Sequence, residues 1–202
     1  MGNRTARILS ALLFLSVSLI FNAQVFADDL LLTSFESATK SDLGTEMGTW
    51  TSNPLDSSQG TTMETIDVYG VMGRTGSTHV AKITYDVATN GPALNGIYIM
   101  LNKMNLAPYK NLTFLIKGDP DKGFTTKFSV TLTSSSGQRA TCRVTGITDN
   151  WQKISIPVKK FLATGTMGNL SNIVELDVTF DDMTVDAKEG VLYMDEIRLT
   201  TD

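Results

Sequence analysis

Cysteine is almost absent from this chain: Cys142 stands alone among 202 residues, so no intrachain disulfide staples it. Histidine is as scarce. His79 has no second imidazole and no thiol beside it in the sequence, which excludes a transition-metal centre built on such ligands. It would also have to be the base for any serine nucleophile, and no Gly-x-Ser-x-Gly elbow presents one. Basic charge is in deficit, with 17 Lys and Arg against 21 Asp and Glu, which argues against a nucleic-acid partner. Long apolar runs are missing too, because the stretch Ile8 to Phe21 is too short to span a bilayer comfortably.

That stretch follows Met1-Gly2-Asn3-Arg4-Thr5-Ala6-Arg7 and leads to Val25-Phe26-Ala27, which places small residues where a signal peptidase cuts. Residues 1–27 read as a signal peptide, with the mature chain starting at Asp28. No cysteine lies at the junction to carry a lipid. Removing the segment takes Arg4 and Arg7 and no acidic residue, leaving 15 basic against 21 acidic side chains and a net charge of −6. The remaining residues, 28–202, suit one domain with a sizeable core, since no Pro-rich or Ser-rich linker divides them. The expected product is exported to the periplasm or the medium, with no membrane span.

What the chain does have is alternation. Short segments rich in Thr, Val, Ile and Phe, with apolar residues at every second position, are separated by Gly, Asn, Asp and Ser clusters. Strands are predicted at residues 30–36, 63–68, 79–86, 96–102, 112–117, 125–133, 139–145, 152–157, 173–180 and 191–200. Ser134-Ser135-Ser136-Gly137 should close a hairpin, Gly118 to Gly123 should turn, and Val158 to Leu162 should form one helical turn. About ten strands spaced by turns predict an all-β fold, a two-sheet antiparallel β-sandwich. In the last strand, alternation groups Val191, Tyr193, Asp195, Ile197 and Leu199 on one face. Asp195 then points with hydrocarbon and needs a cation, dense hydrogen bonding or a wet rim.

Four segments in this order, Ser34-Phe35-Glu36, Leu112 to Gly118, Trp151 to Pro157 and Leu192 to Leu199, resemble the galactose-binding-like jelly roll. Within it the chain is most similar to carbohydrate-binding modules of the family 11 type and to the related domain of the complex I intermediate-associated protein 30 family. The resemblance implies a structural calcium ion where first and last strands meet, with Glu36 and Asp195 as its acidic ligands. Calcium suits such a place because it accepts six to eight oxygens with loose geometry. Two departures stand against the commoner pattern: Ser34 replaces an acidic residue, and Glu196 replaces a second Asp. The alternative to a metal is that Asp195 bonds backbone amides or neighbours on the Arg198 side at a wet rim.

The resemblance also implies a ligand across one exposed sheet face. Alternation turns Tyr98, Lys127, Arg139, Arg143, Glu175 and Asp177 outward, a polar surface with a single ring that suits a sugar. Exposed sheet faces carry the same residue types for solubility and cross-strand pairing. Trp50, in a turn-rich stretch, is either a flank of the site or, as is commoner for a large ring near a strand end, a lid on the core, and Trp151 is expected as packing. The adjacent carboxylates Asp181-Asp182 and Asp195-Glu196 point to opposite faces of their strands and cannot flank one glycosidic bond. The expectation is therefore a non-catalytic, exported carbohydrate-binding protein for a soluble glycan or cell-wall polysaccharide. The other reading is a periplasmic or cell-surface assembly protein that holds a protein partner on the same sandwich.

Overall fold

A computed structural model describes residues 28–202; the expected signal peptide lies outside them. Among the described residues eleven strands run β1 (Leu30–Thr33), β2 (Met47–Thr51), β3 (Gly60–Tyr69), β4 (Ser77–Asp86), β5 (Leu94–Met104), β6 (Asn111–Gly118), β7 (Lys127–Ser134), β8 (Arg139–Thr145), β9 (Gln152–Pro157), β10 (Ile173–Asp181) and β11 (Glu189–Thr200). One six-stranded sheet has the order β3-β4-β11-β6-β9, with β1 also paired to β11; the other has the order β2-β5-β10-β7-β8. All pairings are antiparallel. The two sheets form the expected sandwich. Among the described residues no helix is long and apolar enough to cross a membrane.

The core lies between the sheets and follows the alternation. Ile97, Ile99 and Leu101 of β5 face Phe128, Val130 and Leu132 of β7 and Leu176, Val178 and Phe180 of β10 within one apolar cluster that also takes in the opposite sheet. Tyr85 of β4 stacks on Phe180 across the layers, ring centroids 4.3 Å apart and nearly parallel. Burying this mainly aliphatic surface together with such rings drives folding. The hairpin at Ser134 closes as its composition demands: Gly137 donates to the Ser134 carbonyl at 2.9 Å with φ of 79°. A 3-10 turn spans Val158–Ala163.

Three readings need correction. Met47–Thr51 is a strand rather than a turn-rich stretch, an edge strand of five residues paired along β5. The last strand does not keep its phase. Leu192 and Met194 face the core, then Ile197 and Leu199 do so, because the register shifts between Asp195 and Arg198 and Glu196 adopts φ of 53°. Asp195 therefore lies on the opposite side of the sheet from Ile197 and Leu199, with Tyr193. The first strand also ends early, at Thr33, where Phe35 takes φ of 55°.

Antiparallel pairing sets the chain ends side by side. Leu30 is opposite Leu199, and Asp29 accepts from the Thr201 amide at 2.9 Å. β1 and β4 share one edge of β11, β4 along Glu189–Met194 and β1 beyond the bulge. The end of β1, the start of β4 and the β11 bulge thus converge.

Candidate functional site

The outward face of the five-stranded sheet is built in rows by strand register. One row runs Gly48, Tyr98, Asp177, Thr131, Thr141; the next runs Trp50, Gly96, Thr179, Ser129, Arg143. A third places Met100, Glu175, Thr133 and Arg139 together. Trp50, Tyr98, Arg139, Glu175 and Asp177 line a cavity of about 340 Å³. Glycines make room for it. A Cβ on Gly96 would fall 2.0 Å from the Val178 carbonyl oxygen, so only glycine allows β5 and β10 to approach there. A Cβ on Gly48 would sit 3.1 Å from the Tyr98 ring, which lies over that position.

Tyr98 is fixed as well as supported. Its hydroxyl donates to Glu46 Oε1 at 2.6 Å, and this bond holds the phenol above its ordinary pKa. At the cavity floor Asp177 is 2% exposed. Burial pushes its carboxyl up to about 7, the Glu175 charge adds to that, and Arg139 opposes it from 3.7 Å. Among the described residues, four buried polar atoms on this face make no hydrogen bond of good geometry: Trp50 Nε1, Thr133 Oγ1, Asp177 Oδ2 and Thr179 Oγ1, although the Trp50 indole stands close enough to the Asp177 carboxyl to favour its ionised form. A folded chain seldom leaves such groups unmatched. Trp50 Nε1 and Asp177 Oδ2 belong to the cavity wall, beside the Tyr98 ring, while Thr133 and Thr179 stand on the same face outside that wall.

Of the six side chains named from the sequence, four (Tyr98, Arg139, Glu175, Asp177) meet at this cavity. Lys127 and Arg143 stand on the same face, opposite Thr145 and Ser129, outside the cavity wall. Trp50, expected as a flank of the site or a lid on the core, is a wall of the cavity, because β2 is a strand and alternation turns Trp50 to the same side as Gly48. Glu46, Gly48 and Thr133 were not named from the sequence, and the five-residue β2 was too short to mark the first two. Trp151 packs, as expected, against a small cluster on the other sheet, with Lys117 Nζ 5.8 Å from its ring.

Glu36 and Asp195, the expected calcium ligands, lie near the convergence of β1, β4 and β11. Glu36 Oε2 is 2.8 Å from His79 Nδ1, and its side chain is half exposed. Asp195 is fully buried; its Oδ1 accepts the Glu196 amide at 2.7 Å, while Oδ2 faces Arg74 Nε at 3.8 Å. Among the described residues no three His, Cys, Asp or Glu side chains gather as a metal site. A cationic side chain already stands against the key carboxylate, so the donor set does not fit a calcium ion as arranged.

Known proteins now place the chain. A model of the family carbohydrate binding domain 30 matches residues 23–201. The chain belongs to that carbohydrate-binding family. No curated protein matches it. Among solved structures it is similar to the family 11 carbohydrate-binding module of a cellulosomal cellulase of Clostridium thermocellum, at 19% identity and TM-score 0.57, covering 86% of this chain and 95% of that one. The same module in complex with a β-1,3-1,4-mixed-linked tetrasaccharide matches at 19% identity and TM-score 0.57 over 85% of this chain and 95% of that one. A family 30 carbohydrate-binding module matches at 15% identity and TM-score 0.53, covering 88% of this chain and 86% of that one. These likenesses establish the shared fold.

Proposed function

We propose that the protein is an exported, non-catalytic binder of a soluble glycan or cell-wall polysaccharide, held on the face around Tyr98. The observation that carries the reading is one cavity between Trp50 and Tyr98 whose wall holds the buried Trp50 Nε1 and Asp177 Oδ2 with no well-formed hydrogen bond. Sugar hydroxyls donate and accept at once, so they match an indole N–H, a guanidinium and two carboxyl groups in a way that an apolar ligand does not. The apolar faces of sugar rings suit the two aromatics, whose polar atoms remain free or tied to Glu46. Membership of a carbohydrate-binding family supports the same reading.

The arrangement favours binding over hydrolysis. Glu175 and Asp177 are two residues apart on one strand and therefore stand on the same wall, whereas glycosidases place their two carboxyl groups on either side of the scissile bond. The test is gel electrophoresis through a panel of embedded polysaccharides that includes mixed-linked β-1,3-1,4-glucan, the type of sugar bound by the family 11 neighbour. Retardation by at least one polysaccharide, abolished in Tyr98→Ala, is expected. Free migration through all of them, with a single protein co-purifying in fixed ratio, would favour the assembly role instead.

A further inference from the structure

The β3–β4 loop, residues 70–76, folds back over the outer face of the six-stranded sheet. Gly70, Gly73 and Gly76 all lie in the left-handed region, at φ of 75°, 75° and 84°, which lets a short loop reverse repeatedly. Val71 anchors it, 2% exposed in a satellite apolar cluster with Val80 and Leu115. Leu115 is the register partner of Asp195 on β6, so the anchor brings the next residues of the loop over the bulge. Arg74 follows three residues after Val71. Its Nη1 is 3.0 Å from Glu196 Oε1, its Nη2 donates to Thr78 Oγ1 at 3.2 Å, and its Nε faces Asp195 Oδ2. Arg74 Nε and Asp195 Oδ2 have no other partner; each is the other's counterpart across 3.8 Å.

We infer that Arg74 is the resident counter-cation of Asp195 and pins the β3–β4 loop to the bulge of the last strand, so that this chain needs no metal ion at the place where its ends meet. A buried carboxylate demands such a charge, and a guanidinium held at two other nitrogens supplies it in a fixed direction. A divalent ion against the same oxygen would have to displace the guanidinium, since two cations within about 4 Å repel strongly in a partly buried setting. Glu36, the other expected ligand, is turned to His79. The inference is independent of the glycan reading.

Thermal melting of the purified protein tests it. Wild type treated with chelator should melt at the same temperature as wild type with millimolar calcium. Arg74→Met should lower the midpoint by about 10 °C, as expected when one partner of a buried pair is removed. The double variant Arg74→Met/Asp195→Asn should recover roughly half of that loss or more, because no buried charge is then left alone. A calcium-dependent rise in the wild-type midpoint would overturn the inference, since a ligand that binds only the folded state stabilises it. So would an Arg74→Met midpoint equal to wild type, or a double variant no more stable than the single one. The chelator arm needs no variant to fold.

Discussion

Asp177 and Asp195 make a natural comparison. Each sits on the middle strand of its sheet, β10 or β11, at 2% and 0% exposure. Each has an arginine nitrogen 3.7 or 3.8 Å from Oδ2, and burial pushes each carboxyl up to about 7. Their surroundings separate them. Asp195 is covered by a glycine-rich loop whose arginine is held by Glu196 and Thr78. Asp177 opens onto a cavity beside other unpaired polar atoms, and its arginine is 56% exposed. On the proposed reading, the same pair of side chains serves cohesion where a loop closes over it and recognition where the sheet face stays open.

The largest expected difference is in stability. Arg74→Met should cost about 3 kcal/mol, as for a broken buried pair, whereas Arg139→Met should cost under about 1 kcal/mol, as for an exposed one. Urea unfolding of both variants checks this, and equal losses would break the comparison. Next comes Tyr98→Ala. It should weaken glycan binding about 30-fold, roughly 2 kcal/mol for a central aromatic anchor, with an unchanged melting midpoint. Calorimetric titration alongside a melt separates the two effects.

Acidity gives a subtler contrast. A carboxyl whose folded pKa is raised above its unfolded value binds more protons when folded, so stability is lost as pH rises from about 4 to about 7. Asp177→Asn should flatten part of that fall. A sugar hydroxyl donating to Asp177 stabilises the ionised form, so wild-type affinity should increase severalfold between about pH 5 and about pH 8, and Asp177→Asn should remove the dependence. The smallest effect is reserved for Gly48→Ala. Its methyl would meet the Tyr98 ring at 3.1 Å and tilt it, weakening binding only a few-fold, about 1 kcal/mol, in the same titration.

Much of the sandwich was legible because period-two alternation in β5, β7, β8 and β10 reports directly which side chains face the core. The same rule brought Tyr98, Arg139, Glu175 and Asp177 to one face. It failed where the backbone breaks phase. At Asp195 and Glu196 the bulge reverses the faces of everything after it, and no residue type there announces a positive φ. Trp50 was left open between flank and lid for another reason: β2 is a short edge strand, too brief for alternation to rise above its Gly and Thr neighbours. Arg74 was invisible because its partner is set by how a loop folds over the opposite strand, which no local pattern encodes.

The most direct test follows the indole at the cavity. Trp50 and Trp151 are the only tryptophans, and Trp151 lies on the other sheet, so a Trp151→Phe variant reports emission from Trp50 alone. Titrating it with the polysaccharides of the panel should give a saturable change in Trp50 emission with at least one of them, lost in Tyr98→Ala. A glycan that retards the protein in gels yet leaves Trp50 emission unaltered would contradict the account, because recognition would then lie elsewhere on the sandwich.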